Sequence, residues 1–337
     1  MNVVYYLTTM AIYTCINGIL ALGLNMQFGV AGILNLAYIV LVAAGAYCTG
    51  IAALPPAPAA GQVHHIGGFN WPFPWDVLFG MAVTTAFALL IGLICFRRIA
   101  SWYLALTLSS IGWALLILVS NDVNLFNGQT GLIAIPGPWQ DQLSPTAYQF
   151  VVLAMCLVAL IVVFVVFWRI EHSPLGRAFR SLREDELAAS SLGKDPLRLR
   201  LTAYLLGAAA AGLGGGLAAI YFGGWNASAW QPGETFIILA AVIVGGRGRS
   251  LGAVLGSVVV LDVFVEGSRF LPEIGGRTDL LPAIQGIAIS LLLMAVLWWR
   301  PYGLWPERKE RFRFRAGGGT EPRPAAGVPS AAVTGDS

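Results

Sequence analysis

Apolar runs of about twenty residues, the length a helix needs to cross a hydrocarbon core of ~30 Å, follow one another along almost the whole chain. They fall at about 3–24, 31–53, 77–96, 101–120, 148–168, 201–222, 230–246, 251–268 and 282–299. Backbone inside lipid finds no water to bond, so helices that satisfy their own N–H and C=O groups are the form open to such runs. The pattern predicts an all-α polytopic membrane protein with about eight to ten transmembrane helices. Composition agrees: 11% of the 337 residues are charged and 57% are hydrophobic, where a soluble domain carries about a quarter charged. The runs 230–246 and 251–268 are short and glycine-rich, and their ends are the least defined.

Lysine and arginine stay cytoplasmic in short loops, so their positions predict orientation. Arg97 and Arg98, the segment Arg169–Arg200, Arg247 with Arg249, and the tail from Arg300 define one side. The loops 54–76, 121–147 and 223–233 contain neither residue. Nine spans with an outside N-terminus and a cytoplasmic C-terminus satisfy this alternation. Arg269 and Arg277 are exceptions, compensated by Glu266, Glu273 and Asp279. The first apolar run has no basic residues ahead of it, which predicts a retained span rather than a cleaved signal. Residues 1–305 are expected to form one transmembrane domain. Residues 306–337 form a basic segment running into a Gly-, Pro- and Ala-rich tail whose composition predicts disorder after Arg315.

Within this apolar chain, Ser173–Arg200 is a charged island. Ser173 followed by Pro174 is a helix start, with a hydroxyl to cap free N–H groups and a proline at the first turn. Leu175, Ala178, Phe179 and Leu182 recur at helical spacing as a narrow apolar stripe flanked by Arg177, Arg180 and Arg183. The stripe predicts a helix with a face to dock on a partner.

Several chemistries have no residues to carry them. A phosphate-cradling loop ends in Gly-Lys-Ser/Thr, whereas Lys194 follows Gly193 but precedes Asp195 and Lys309 has no such context. No nucleophile–base set is apparent, so a non-catalytic chain without cofactor is expected. Cys15, Cys48, Cys95 and Cys156 lie singly in apolar runs and read as packing residues. His64 and His65 are adjacent in a loop and splay apart in extended backbone, a poor metal pair. Among carboxylates the spans offer Asp262, with Glu266 near a boundary, which counts against an ion-coupled carrier.

The deep polar residues are neutral: Asn17, Asn25, Gln27, Asn35, Thr107, Ser109, Ser110 and Gln285. They read either as helix–helix hydrogen bonding or as the lining of a solute path. Asn25–Asn35 has the marks of a discontinuous segment, because Gly29, Gly32 and three amides interrupt the apolar run. Gly212-x-x-x-Gly216 and Gly252-x-x-x-Gly256 read as close helix packing, within the chain or at a dimer interface.

Five blocks, in order, resemble the inner-membrane permeases of branched-chain amino-acid ABC importers, the LivM and LivH type. Ala21–Tyr47 is similar to that family's early signature, and Tyr103–Asn121 with Asn127–Pro136 to its fourth span and outer loop. SPLGRAFRSLREDELAASSLG is similar to its cytoplasmic loop, Gly245–Ser257 to its GGxGT block, and Trp298–Trp305 to its terminal RPxGL. The chain departs from the pattern at Ala37 and Tyr38 and at Ala253; where importer permeases in general carry Glu-Ala-Ala ahead of the loop glycine it has Leu187-Ala188-Ala189, as the resembled family commonly does.

The resemblance implies a type II-like ABC importer permease in a bacterial inner (plasma) membrane. Its implied partners are two ATPase subunits, a second identical or related permease, and a periplasmic or extracellular solute-binding protein. The implied cargo is a branched-chain or related hydrophobic amino acid; urea, a short amide or an aromatic acid is the alternative within the type. A stand-alone channel or carrier would need no ATPase.

It further implies an ATPase-coupling loop at about 169–200, carried by Arg177, Arg180, Arg183, Glu184, Asp185, Glu186, Ala188, Ala189 and Gly193. Asn25, Gln27, Asn35, Tyr38, Thr107 and Ser109 would belong to the translocation path. Asn127, Gly128, Thr130 and Gly131 would face the binding protein.

Overall fold

The computed structural model describes residues 3–56, 66–99, 101–140, 142–266, 280–300 and 303–305. His64, His65, Arg269, Glu273, Arg277, Asp279, the segment 306–337 and the side chains of Glu266 and Gln285 lie outside the described residues. In chain order the α-helices are α1 (Val3–Leu24), α2 (Tyr38–Ala53), α3 (Trp75–Arg98), α4 (Ser101–Asn121), α5 (Val123–Phe126), α6 (Pro145–His172), α7 (Pro174–Glu184), α8 (Glu186–Ser191), α9 (Pro196–Phe222), α10 (Glu234–Gly245), α11 (Ser250–Ser257) and α12 (Leu280–Trp299). Two π-helical stretches, Asn25–Val30 and Val258–Glu266, continue α1 and α11.

Among the described residues five helices are long and apolar enough to cross a membrane, Val4–Val30, Trp75–Arg98, Tyr103–Asn121, Pro145–His172 and Pro196–Phe222. Tyr38–Ala53, Glu234–Gly245, Ser250–Val263 and Gly286–Trp299 are shorter apolar helices. Two expected spans are therefore shorter than their apolar runs. The run 31–53 is helical only from Tyr38, because Gly32 turns at φ +75° and Asn35 Oδ1 takes the Ala37 amide at 3.0 Å. The run 230–246 breaks at Pro232 and Gly233, so a 3-10 turn at Ala227–Trp230 precedes α10. One non-helical pairing joins Leu132–Ile133 to Gly224–Trp225 in an antiparallel two-strand ladder.

Helix α9 is the central element. Two thirds of its most apolar window is buried (67%), against 22% for α6 and 28% for α3, which present more side chains outward to lipid. Lipid supplies no hydrophobic force between helices, so contact depends on close approach through small residues. A Cβ on Gly45 of α2 would lie 2.5 Å from Gly212 Cα of α9, and one on Gly215 would lie 2.0 Å from Val42 O. Both glycine pairs read from the sequence thus pack inside this chain: Gly212 and Gly216 against α3 and α2, and Gly252 and Gly256 against α10.

The termini of these helices collect charge at one pole. Backbone N–H groups of Leu304 and Trp305 pair with Val244 O at 2.8 Å and Gly245 O at 2.9 Å, so the terminal block closes on the turn between α10 and α11. Arg183 of α7 and Ser250 of α11 contact the end of the α1 π-helix and the end of α6 respectively. The opposite pole carries the ladder, α5 and the segment before α3, where Ile66 N–H meets Leu125 O at 3.3 Å.

Candidate functional site

At the basic pole, α6 runs on past its apolar stretch to His172, and Ser173 starts α7 as the sequence indicates. Its Oγ accepts the Leu175 and Gly176 amides at 3.2 and 3.4 Å. Gly176 lets α7 fold back tightly, since a Cβ there would lie 2.4 Å from Ile170 O.

The apolar stripe of α7 faces its own chain. Phe179 is fully buried and Leu182 is 6% exposed, both within the protein's interior. The expectation that this stripe is a face for a partner is therefore corrected: apolar side chains next to an available core bury there first. Two of the flanking arginines turn inward with it. Arg180 donates to Glu171 O and Arg183 to Gly29 O. Arg183 also covers Gly32, whose Cβ position would lie 2.8 Å from Arg183 Cγ.

Asp185 ends α7 and caps α8, accepting the Leu187 and Ala188 amides at 2.9 and 3.0 Å. Glu186 meets Arg200 at 2.5 Å, and Lys194 Nζ donates to Ser181 Oγ at 3.3 Å. These contacts pin α8 between α7 and α9. Ala189 is buried, and Gly193 turns the chain at φ +76°, with nothing near its Cβ position. What α8 presents outward is apolar: Leu187 is 78% and Leu192 77% exposed. Arg177, Glu184, Asp185, Ala188 and Gly193 are exposed beside them.

Behind α7 lies a buried polar layer. Glu171, at the end of α6, accepts Ser250 Oγ at 2.6 Å and Ser250 N–H at 3.2 Å. Asn25 Oδ1 accepts Gly248 N–H at 2.9 Å. The loop Gly246–Arg249 is thereby tied to both α6 and the α1 π-helix. Asn35 Nδ2 donates to Gln27 Oε1 at 3.0 Å, and Gln27 Nε2 donates to Tyr204 O at 2.9 Å. Tyr38 is fully buried, its hydroxyl 2.2 Å from the position a Cβ would take on Gly23.

Asn25, Gln27, Asn35 and Tyr38 thus form one neighbourhood. Thr107 and Ser109 stand apart on α4, half-buried, with Thr107 Oγ1 bonded to Tyr103 O at 3.0 Å. The described partners of Asn25, Gln27 and Asn35 are protein groups.

At the other pole, Asn127 adopts a left-handed backbone (φ 63°), and its Nδ2 donates to Gly131 O at 3.1 Å. Gly128 and Gly131 are buried, and a Cβ on Gly131 would lie 2.1 Å from Trp225 O. These three residues build the turn, while Thr130 and Gln129 are its exposed tip.

Sequence reasoning missed Glu171 and Ser250, and it gave Leu187 and Leu192 no weight. Glu171 had a usable signal, a carboxylate in the last turn of an apolar span, where a buried charge needs a built partner. Among the described residues there is no group of three or more His, Cys, Asp and Glu able to hold a metal ion. All four cysteines are free thiols.

Apolar helices packed through glycines, a buried polar layer and a charged helical pair at one pole make this a polytopic helical membrane protein. The chain belongs to the family described as branched-chain amino acid transport system / permease component, whose model matches residues 6–297. It is 28% identical to the high-affinity branched-chain amino acid transport system permease protein LivM of Salmonella typhimurium, over 91% of this chain and 72% of that protein. The LivM protein of Escherichia coli matches at the same identity and coverage. A probable branched-chain amino acid transport permease protein LivM of Methanocaldococcus jannaschii is 24% identical over 86% of this chain and 90% of its own length. No solved structure matches at a significant level.

Proposed function

We propose that this multi-pass permease is the transmembrane subunit of an ATP-driven importer of branched-chain or related hydrophobic amino acids. It is non-catalytic, with ATP hydrolysed by a separate chain. A second permease subunit and a solute-binding protein complete the assembly. The basic pole is cytoplasmic and the pole that carries the Lys- and Arg-free loops 54–76, 121–147 and 223–233 faces out, in keeping with the positive-inside tendency.

The observation that carries this reading is the two-sided construction of the α7–α8 pair. On one side Arg183 grips the Gly29 carbonyl at the break in the first span. On the other, Leu187 and Leu192 stand exposed with Arg177, Glu184, Ala188 and Gly193. Apolar side chains that exposed, at a pole that meets water, suit burial against a partner. Force on α8 passes through Asp185 into α7 and from α7 into the segment 25–35, whose amides Asn25, Gln27 and Asn35 line the break. Within the predicted coupling set the roles divide. Arg177, Glu184, Ala188 and Gly193 meet the ATPase, whereas Arg180, Arg183, Asp185, Glu186 and Ala189 hold the pair in place.

The test is purification of the tagged chain from native membranes in mild detergent, followed by reconstitution with its co-purifying ATPase and binding protein. Uptake of leucine, isoleucine or valine that requires ATP supports the reading. Transport by this chain alone without ATP overturns it in favour of a channel or carrier.

A further inference from the structure

At the pole that carries the loops 54–76 and 121–147, a cavity of about 410 Å³ opens between the start of α3, the segment ahead of it and the turn at 136–139. Asn70, Trp71, Phe73, Asp76, Pro138 and Trp139 line it. Asp76 is only 2% exposed, and its Oδ1 accepts the Val77 amide at 2.8 Å.

None of the residues lining the cavity is Lys, Arg or His, and Asp76 takes no part in the ion pairs among the described residues. Among the described residues of the loops 54–76, 121–147 and 223–233 there is no Lys, Arg or His to supply one. A carboxylate removed from water without a cation is costly and is relieved either by a proton or by a paired cation; on the wall of an open cavity a cation from outside can reach it.

The remaining walls fit an organic cation. Trp71 is held edge-on to Phe79 with ring centroids 5.3 Å apart, and Trp139 stands at φ +53°. Indole faces attract ammonium groups, while Phe73 and Pro138 suit an aliphatic stem. The volume lies within the usual range of small-molecule sites, about 300–1,000 Å³.

We propose that this cavity binds a primary ammonium carried on a short apolar stem, with Asp76 accepting its N–H bonds and Trp71 and Trp139 facing its charge. On an outward pole that ammonium has two sources, a free amino-acid solute or a lysine side chain of the solute-binding protein. The proposal rests on the outward assignment of this pole given above.

The test uses the full-length protein, alone in detergent and labelled with 5-fluorotryptophan, with Trp71→Phe and Trp139→Phe assigning the two resonances. L-Leucine, n-butylamine as a lysine side-chain mimic, and isovalerate as the stem without an ammonium are titrated in turn. Saturable shifts at both positions with an amine, and none with isovalerate, are expected. Response to both amines shows that the ammonium suffices; response to leucine alone assigns the site to the solute, and to butylamine alone to a lysine side chain.

Asp76→Asn keeps an acceptor for the Val77 amide and is expected to weaken half-saturation about ten- to a hundredfold, the usual weight of a charged hydrogen bond. Trp139→Leu, read at Trp71, weakens it without touching α3. No saturable shift with either amine, equal shifts with isovalerate, or an unchanged titration in Asp76→Asn overturns the proposal. No ATPase enters the measurement, so its failure leaves the coupling reading standing, and failure of ATP-dependent uptake leaves this result intact.

Discussion

Arg183, on the inward side of α7, donates to the backbone carbonyl of Gly29, a residue 154 positions earlier in the chain. The bond joins the charged island to the break in the first transmembrane segment, where Gly32 leaves room for the arginine stem. Loss of the guanidinium is expected to uncouple the two ends. Arg183→Leu in reconstituted vesicles should lower solute moved per ATP hydrolysed, and the lost charged hydrogen bond should cost about 1.5–3 kcal/mol of stability. Unchanged stoichiometry would remove this contact from the coupling route.

The α7 stripe and the α8 leucines should respond in opposite ways. Phe179→Ala removes a fully buried aromatic ring and is expected to cost about 3–5 kcal/mol, read as a fall in thermal midpoint in detergent. Leu187→Glu and Leu192→Glu are exposed changes, expected to leave stability within about 0.5 kcal/mol. The leucine variants should instead lose co-purifying ATPase. If Phe179→Ala released the ATPase without lowering the midpoint, the assignment of the two faces would be reversed.

Glu171 and Ser250 lock the end of α6 to the start of α11 through two hydrogen bonds. Ser250→Ala deletes the 2.6 Å bond and leaves a buried carboxylate under-satisfied, at an expected cost of about 1–3 kcal/mol. Glu171→Leu should cost less in combination with Ser250→Ala than the sum of the single changes, because the pair is lost together. A double-mutant cycle on thermal unfolding measures this directly; strict additivity would argue against the contact.

Gly215 tests the packing of α9 on α2. A methyl group there would lie 2.0 Å from Val42 O, a backbone atom that cannot swing aside as a side chain does. Gly215→Ala is expected to destabilise the bundle by about 1–3 kcal/mol, seen as reduced monodisperse yield after extraction. Gly193→Ala, with open space around it but φ +76°, should cost less, through backbone strain alone.

The sequence determined where helices would form and which ends would be charged. Apolar runs of membrane-spanning length, the Ser173–Pro174 start and the Lys- and Arg-free loops are local signals that lipid reads directly, because helix formation and charge placement depend on each segment's own residues. The interruption at Asn25–Asn35 was legible for the same reason, its glycines and amides lying within one short stretch. Where periodicity met glycine and proline the runs over-reached, as at 31–37 and 230–233, since hydropathy marks what lipid accepts and not where the backbone turns.

Only the tertiary structure decided which face of α7 turns inward. Its stripe has the same period whether it meets a partner or its own core, and burial of Phe179 and Leu182 followed from α7 folding back against the end of α6. Likewise Asn25, Gln27 and Asn35 were visible as deep amides, but the Asn25 bond to Gly248 and the Gln27 bond to Tyr204 join residues far apart in sequence. Glu171 with Ser250, and Asp76 with Trp71 and Trp139 on the wall of one cavity, belong to the same category. The cost of a buried carboxylate depends on its neighbours in space, and those are set by packing.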